Sequence, residues 1–201
     1  MRASERRTLA FYDENAVGYA LQTGQADLTQ LYAAFLPLLP PGGRILDLGC
    51  GGGRDLRAFK ALGFNCIGID PSVQLAQIAA ESSACEVVVA RAQDMNFVDE
   101  FDGVWACASL LHLARSELPL TLVRIRKALR GGGVLFLSMQ EGIGSSVASD
   151  GRFYTWYSAR ELSAMAVSAG LSLISQWHTP DKLLGRGTVS WINLLARRPK
   201  A

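Results

Sequence analysis

The sequence has few of the residues that build metal centres and disulfide frameworks. It contains only two histidines and four cysteines. The cysteines are Cys50, Cys66, Cys85 and Cys107, which are scattered and form no C-x-x-C pair. A zinc site therefore has little support, and we expect no metal. We expect buried, reduced thiols, which are typical of a cytoplasmic protein.

The sequence also lacks an excess of charge of one sign and any long apolar run. Twenty basic residues face 18 acidic ones, for a net charge of +2, whereas nucleic-acid-binding domains have a strongly basic face. No apolar run approaches the ~18 residues of a membrane span. The basic N-terminus, residues 1–7, is not followed by the apolar segment of a secretory signal. We expect neither nucleic acid nor a membrane as a partner.

Apolar residues, by contrast, are plentiful. They make up 49% of the chain, and charged residues make up 19%. With this balance we expect a folded chain rather than a disordered one. With 201 residues, the chain is most simply one domain with a substantial core. We predict a helical cap over residues 1–40, with residues 1–10 frayed, and an α/β part over residues 41–201.

The most informative segment is ILDLGCGGGRD, residues 45–55. A short apolar run containing Asp47 leads into a loop with four glycines, and an amphipathic segment follows, which predicts strand, tight turn and helix. The glycines let a ligand approach the main chain, and the free N–H groups at a helix start favour an anionic group. Dinucleotide sites use G-x-G-x-x-G, whereas Gly49, Gly51 and Gly53 make G-x-G-x-G.

An acid ends the next apolar run. Asp70 follows residues 64–69 and lies 21 positions after Gly49 (70 − 49). An ionised carboxylate there can accept hydrogen bonds from both hydroxyls of a ribose. Dehydrogenases share this feature. The alternative is that Asp70, Pro71 and Ser72 only make a turn and start a helix, and both interpretations can hold.

Strand and helix patterns alternate from residue 44 to about residue 138, which predicts a parallel sheet with helices on both faces. The last third of the chain differs. Residues 140–157 are predicted to be a loop, and Ser158 and Glu161 form a capping box that begins a helix. Residues 171–177 and 190–197 are predicted to be the two final strands.

The pattern D-x-G-x-G-x-G, from Asp47 to Gly53, resembles the first motif of the class I S-adenosylmethionine-dependent methyltransferases. F-D-G-V at residues 101–104 and L-R-G-G-G-V-L at residues 129–135 resemble later motifs, with Arg130-Gly131 in place of a basic residue and proline. The resemblance spans residues 12–197. It implies a single-domain, doubly wound, seven-stranded, mostly parallel sheet with the last strand antiparallel. Helices would cover both faces, with a helical cap at the N-terminus.

The resemblance also implies S-adenosylmethionine as methyl donor, and it points to a set of cofactor-binding residues. The expected residues are Tyr19, Asp47, Gly49, Cys50, Gly51, Arg54, Asp70, Pro71, Ser72, Gln93, Asp94, Met95 and Cys107. Arg91 departs from the family, since many members have an acid there. Arg54 would pair with the cofactor carboxylate or, alternatively, with a neighbouring acid. Tyr19 would reach the methionine end or, alternatively, be a half-buried cap residue.

A general base is needed only if the acceptor must lose a proton. His112, after the fourth strand, is the catalytic candidate because imidazole titrates in the useful range. Its alternative role is packing beside Leu111 and Leu113. Glu141 is a second candidate base, although a solvated loop acid is the preferred interpretation.

The leading functional hypothesis is a methyltransferase for a small-molecule acceptor. A non-catalytic S-adenosylmethionine-binding module is the first alternative. An NAD-dependent dehydrogenase is the second, although the glycine spacing and the terminal strand pair count against it. We expect a monomer or homodimer.

Overall fold

A seven-stranded sheet forms the centre of the computed structural model, which describes residues 1–181 and 189–200. The sheet strands are β1 (Arg44–Leu48), β2 (Asn65–Asp70), β3 (Glu86–Val89), β4 (Phe101–Cys107), β5 (Leu129–Gln140), β8 (Ser172–Pro180) and β9 (Ser190–Arg197). Their spatial order is β3-β2-β1-β4-β5-β9-β8. β1 to β5 are parallel, and β9 runs antiparallel to both β5 and β8. The predicted fold class is confirmed.

Seven helices within the described residues accompany the sheet. They are α1 (Ala3–Glu14), α2 (Ala16–Gly24), α3 (Thr29–Phe35), α4 (Arg54–Ala61), α5 (Val73–Ser83), α6 (Leu118–Ala128) and α7 (Ala159–Ser168). None of the helices in this part of the chain is long and apolar enough to cross a membrane. The division at residue 40 into a cap and an α/β part stays a prediction, and part of the second segment, residues 182–188 and Ala201, lies outside the described residues.

Side chains of a strand alternate between the two faces of the sheet, and β1 shows how each face is covered. Ile45 packs in a cluster with Phe35 of α3 and Phe59 of α4. Leu46 packs in a separate cluster with Leu122 of α6 and other apolar residues. Both faces of β1 are therefore buried, as its apolar run predicts for a central parallel strand.

Local capping chemistry places two of the helices. Ser72 Oγ accepts a hydrogen bond from Leu75 N at the start of α5 (3.1 Å). Ser158 and Glu161 form the predicted capping box at the start of α7. The Ser72 cap places the start of α5 immediately after Asp70 in the chain, at the carboxyl edge of the sheet where ligands of such folds bind.

Two predictions of local structure are wrong. Residues 1–10 are not frayed, because α1 begins at Ala3 and docks on the body through contacts with residues distant in sequence, such as the bond from Phe153 N to Thr8 Oγ1 (2.9 Å). Residues 140–157 are not all loop, because they contain a hairpin of β6 (Gly144–Val147) and β7 (Phe153–Trp156). Both errors concern segments whose stability comes from tertiary contacts.

Candidate functional site

A cavity with an open volume of about 870 Å³ lies at the carboxyl ends of β1, β2 and β4. Helix α1 forms one wall through Glu5, Thr8, Leu9 and Tyr12. The predicted site residues that line the cavity are Tyr19, Gly49, Gly51, Asp70, Pro71, Ser72, Gln93 and His112. The fold thus brings eight predicted residues, from five separate segments, to one cavity.

The glycine loop offers an open stretch of main chain at Gly51. Its φ is +54°, in the left-handed region that favours glycine. Among the described residues, a Cβ built there would meet only Tyr19, at 3.7 Å, whereas one on Gly49 would lie 2.3 Å from Ser109 Cβ. Gly49 is therefore required for close packing within the protein, and Gly51 leaves room for a ligand against the backbone.

Asp70 presents a buried carboxylate beside that open stretch. Its side chain accepts hydrogen bonds from Gly51 N and Ser72 N, both at 2.9 Å. Burial raises the pKa of Asp70 to about 6, although these two donors oppose the shift. Each carboxylate oxygen still has lone-pair capacity, so Asp70 can accept further hydrogen bonds from a polyol.

Helix α1 contacts the loop after β3, which contains the predicted cofactor-binding residues Gln93 and Asp94. Glu5 Oε1 accepts from Gln93 Nε2 at 2.8 Å and pairs with Arg91 Nη1 at 3.1 Å. Arg91 also pairs with Asp94 at 2.6 Å. Arg91 thus connects α1 to this loop, and Asp94 faces Arg91 rather than the cavity lining.

A buried charge network lies behind the glycine loop. Arg54 donates to both oxygens of Asp55 (2.7 and 2.8 Å) and to Thr23 O (3.2 Å). Burial alone would raise the pKa of Asp55, but Arg54, together with hydrogen bonds from Tyr32 and Trp105, lowers it. The structure therefore places Arg54 in the ion pair that was the alternative interpretation, outside the cavity lining.

Asp47 is also buried beside this network. Burial and the nearby charge of Asp55 hold the pKa of Asp47 well above its usual range. Within residues 1–181 and 189–200, its Oδ2 has no hydrogen-bond partner. A buried oxygen in this state is available to a donor from a ligand or from water.

The remaining predicted residues are not among the described residues that line the cavity. Cys50 is buried against Gly68, where a built Cβ would lie 2.8 Å from its sulfur, and burial raises the pKa of this thiol. Met95 is a core residue, and Cys107 packs at the edge of the aromatic cluster around Trp105. Glu141 contacts His178 at 3.2 Å on the surface, as expected for a solvated acid.

His112 makes two hydrogen bonds that determine which of its ring nitrogens carries the proton. Nδ1 lies 2.7 Å from Phe153 O, and Nε2 lies 2.7 Å from Tyr12 Oη. A carbonyl oxygen only accepts, so Nδ1 carries the proton. Burial lowers the pKa of His112 to about 4, although the bond to Phe153 opposes this. The ring is therefore neutral near pH 7, and Nε2 accepts from the Tyr12 hydroxyl.

The sequence analysis missed most of the α1 wall. Met1, Glu5, Thr8 and Leu9 line the cavity together with Tyr12. Glu5, Thr8, Leu9 and Tyr12 share one face of α1, and Met1 precedes the helix. Because this face mixes polar and apolar side chains, no apolar stripe marked it in the sequence. Ser109, between β4 and His112, was not named among the expected cofactor-binding residues, and it lines the same space.

A family described as "Methyltransferase domain" matches residues 20–176. This match covers more than half of the chain. The chain belongs to the methyltransferase family. The resemblance noted in the sequence is thereby confirmed, and the match begins within α2 and ends within β8.

Several curated methyltransferases align with part of the chain. Phosphoethanolamine N-methyltransferase 1 from Zea mays is 32% identical over 60% of this chain and 25% of its own length. The ubiquinone biosynthesis O-methyltransferase of Nitrobacter winogradskyi is 32% identical over 48% of this chain and 38% of its own length. A tRNA (carboxymethyluridine(34)-5-O)-methyltransferase from Arabidopsis thaliana is 40% identical over 51% and 26%. The chain thus spans less than half the length of these relatives.

A solved methyltransferase structure confirms the fold. The 1,6-didemethyltoxoflavin-N1-methyltransferase of Burkholderia thailandensis superposes with a TM-score of 0.81, covering 97% of this chain and 88% of that chain at 20% identity. That protein was solved with 1,6-didemethyltoxoflavin and S-adenosylhomocysteine bound. At this level of identity, the similarity shows that the two chains share the same arrangement of strands and helices.

Proposed function

We propose that this methyltransferase transfers a methyl group from S-adenosylmethionine to a small-molecule acceptor. The observation that carries the proposal is one cavity in which Asp70, the open main chain at Gly51, and the Tyr12–His112 pair lie together. Asp70 and Gly51 suit an adenosine-containing cofactor, and the pair suits the acceptor.

The residues present fit such a cofactor. Asp70 has acceptor capacity for ribose hydroxyls, and Gln93 lines the cavity beyond it. Gly51 leaves space along the loop, and Tyr19 faces that space. Asp47 has a buried oxygen without a partner among the described residues. When bound, S-adenosylmethionine supplies a methyl group on a positively charged sulfur, which is a good leaving group.

Tyr12 and His112 orient the acceptor. A pKa of about 4 makes His112 a weak base that stays neutral. Its Nε2 is therefore a constant hydrogen-bond acceptor, and the Tyr12 oxygen can in turn accept from an acceptor O–H or N–H. Holding the nucleophile in line is the larger contribution that a protein makes to such a reaction.

Helix α1 excludes water and limits the size of the acceptor. It closes the cavity through Glu5, Thr8 and Tyr12, each bonded to a segment of the body. A macromolecular acceptor would have to displace these contacts, and the net charge of +2 is far from the strongly basic balance typical of nucleic-acid-binding domains. Both observations support a small acceptor, although the relatives include a tRNA methyltransferase.

Calorimetry with three ligands tests the cofactor. We expect S-adenosylmethionine and S-adenosylhomocysteine to bind in the micromolar range and NAD to give no heat. Binding of NAD with no heat from the other two would overturn the proposal in favour of a dehydrogenase.

Turnover of methyl-labelled S-adenosylmethionine over a panel of small hydroxyl, thiol and amine acceptors tests the reaction. His112→Gln should reduce turnover, and His178→Gln, a surface variant, should not. Cofactor binding with no turnover on any acceptor would favour the non-catalytic binding module.

A further inference from the structure

Asp55 is a buried carboxylate whose hydrogen bonds join separate segments behind the glycine loop. Its Oδ1 accepts from Arg54 Nε (2.7 Å) and from the Tyr32 hydroxyl. Its Oδ2 accepts from Arg54 Nη2 and from Trp105 Nε1, both at 2.8 Å. Tyr32 belongs to α3, Trp105 to β4, and Arg54 begins α4. Each oxygen thus accepts two hydrogen bonds from the protein, which uses the lone pairs of the carboxylate.

Arg54 extends this anchor to α2. The guanidinium that pairs with Asp55 also donates through Nη1 to Thr23 O, in the last turn of α2 (3.2 Å). One helical turn earlier, Tyr19 O accepts from Thr23 Oγ1 (2.8 Å). An unbroken chain of hydrogen bonds therefore leads from the Asp55 carboxylate to the backbone of Tyr19.

Helix α2 lies directly on the glycine loop. A Cβ built on Gly52 would lie 2.5 Å from Ala20 Cβ, and one on Gly51 would lie 3.7 Å from Tyr19 Cε1. Burial raises the pKa of Tyr19, and the nearby positive charge of Arg54 opposes that shift. The position of α2 therefore determines where the Tyr19 ring stands over the open main chain of Gly51.

The geometry of the pair assigns it a role other than direct contact. Neither Asp55 nor Arg54 is among the described residues that line the cavity, whereas Tyr19 is. All three guanidinium nitrogens of Arg54 are engaged, two with Asp55 and one with Thr23. The single ammonium of a lysine cannot make these contacts together, so an arginine is required here.

We propose that Asp55 is a positioning residue for cofactor binding. It holds Arg54, Arg54 fixes α2, and α2 keeps Tyr19 over the cofactor at Gly51. The inference rests on the proposed function. Asp55 itself touches neither the cofactor nor the acceptor, so its effect on binding requires Tyr19.

A double-mutant cycle with Tyr19 tests this role, with S-adenosylhomocysteine as the probe in calorimetry. Asp55→Asn keeps the size of the side chain but places an NH2 group where an oxygen accepted from two donors, so the pair with Arg54 is lost. This variant should bind about tenfold more weakly. In a Tyr19→Ala background the same substitution should have no further effect, because coupled residues give non-additive losses.

Asp102→Asn is the matched control. Asp102 Oδ2 also accepts two hydrogen bonds, from Arg44 N and Arg130 Nη1, both at 2.8 Å. Asp102 lies at the amino end of β4 and does not contact α2. Its substitution should lower stability in urea unfolding and leave the affinity unchanged, which separates a loss of stability from a loss of positioning.

The outcomes separate the inference from the function on which it rests. Additive losses in the cycle, or normal binding by Asp55→Asn, would overturn the positioning role while the wild type still binds S-adenosylhomocysteine. Tighter binding by Asp55→Asn would also overturn it, because the released Arg54 would then pair with the cofactor carboxylate. A wild type that does not bind would overturn the proposed function itself. If Asp55→Asn does not fold, Arg54→Lys repeats the cycle, and the same non-additive loss is expected.

Discussion

Tyr12 and His112, 100 positions apart, are joined by a 2.7 Å hydrogen bond across one end of the cavity. Their rings also meet edge to face, with centroids 5.4 Å apart. Tyr12 belongs to α1, whose first residues were predicted to be frayed, and His112 follows β4. This bond therefore connects the N-terminal helix to the sheet. The protonation state of His112 is therefore coupled to the docking of α1.

The first prediction concerns the titration of His112. Its pKa of about 4 results from burial, so its ring should stay neutral down to pH 5. Nuclear magnetic resonance of the imidazole carbons measures this, and His178→Asn assigns the signals because the chain has only two histidines. A titration midpoint near the ordinary 6.5 would contradict the buried environment.

The second prediction is the effect of His112 on stability. Its folded-state pKa lies below the unfolded value, so the unfolded state binds more protons between about pH 4 and 6.5. Stability is therefore lost as the pH falls through this window. When the pH is lowered from 7 to 4.5, the free energy of unfolding measured in urea should fall by about 2 kcal/mol less in His112→Gln than in the wild type. His178→Gln is the control, and equal losses for both variants would exclude the linkage.

The third prediction concerns Asp70 and cofactor affinity. Asp70→Ala should weaken S-adenosylmethionine by about 1–3 kcal/mol, because a charged acceptor is lost. In the wild type, affinity should fall as the pH drops below about 6, where the acid with its raised pKa takes up a proton and stops accepting at one oxygen. Asp102→Asn is the control, because Asp102 lies at the amino end of β4, the end opposite to the cavity. This substitution should change neither the affinity nor its pH dependence. Calorimetry from pH 5 to 8 measures both effects, and pH-independent wild-type affinity would argue against the ribose role.

The fourth prediction separates backbone strain from loss of the site at Gly51. Gly51→Val should abolish cofactor binding, because its side chain fills the open stretch beside Tyr19. Gly63→Val imposes similar strain, since Gly63 has a φ of +88°, and no atom of the described residues lies within 4 Å of a built Cβ. Each variant should lose about 1–2 kcal/mol of stability, but Gly63→Val should bind normally. Equilibrium dialysis and circular dichroism measure binding and folding, and normal binding by a folded Gly51→Val variant would remove this loop from the site.

The fifth prediction concerns the α1 wall. Glu5→Ala removes the contacts to Gln93 and Arg91, so cofactor exchange should become faster in both directions, by about fivefold for ~1 kcal/mol of lost docking. Glu14→Ala, at an exposed position of the same helix, is the control. Stopped-flow fluorescence measures the rates, and unchanged rates in Glu5→Ala would show that α1 does not limit exchange.

The patterns that predicted the fold correctly are local. The apolar run before Asp47 and the glycines after it specify strand, turn and helix within 11 residues, 45–55. Ser158 and Glu161 cap α7 through contacts three residues apart. Such signals depend on neighbours in sequence, which is why they are visible without a structure.

The features that escaped prediction depend on distant contacts. Helix α1 has a polar sequence with Thr8 as its buried residue, so no apolar stripe marks it. Its partners Gln93, His112 and Phe153 lie 88, 100 and 145 positions along the chain from the α1 residues that they contact. No local pattern contains that information.

The same distinction divides the site. Sequence alone was enough to place Gly51, Asp70 and His112 at the ends of strands, because strands of a parallel sheet end at one edge. Only the tertiary structure decided that Arg54 pairs with Asp55, that burial makes His112 neutral, and that Ser109 faces Gly49. Hydrogen-bond partners and burial depend on which segments meet in space, and it is the packing of the whole chain that brings those segments together.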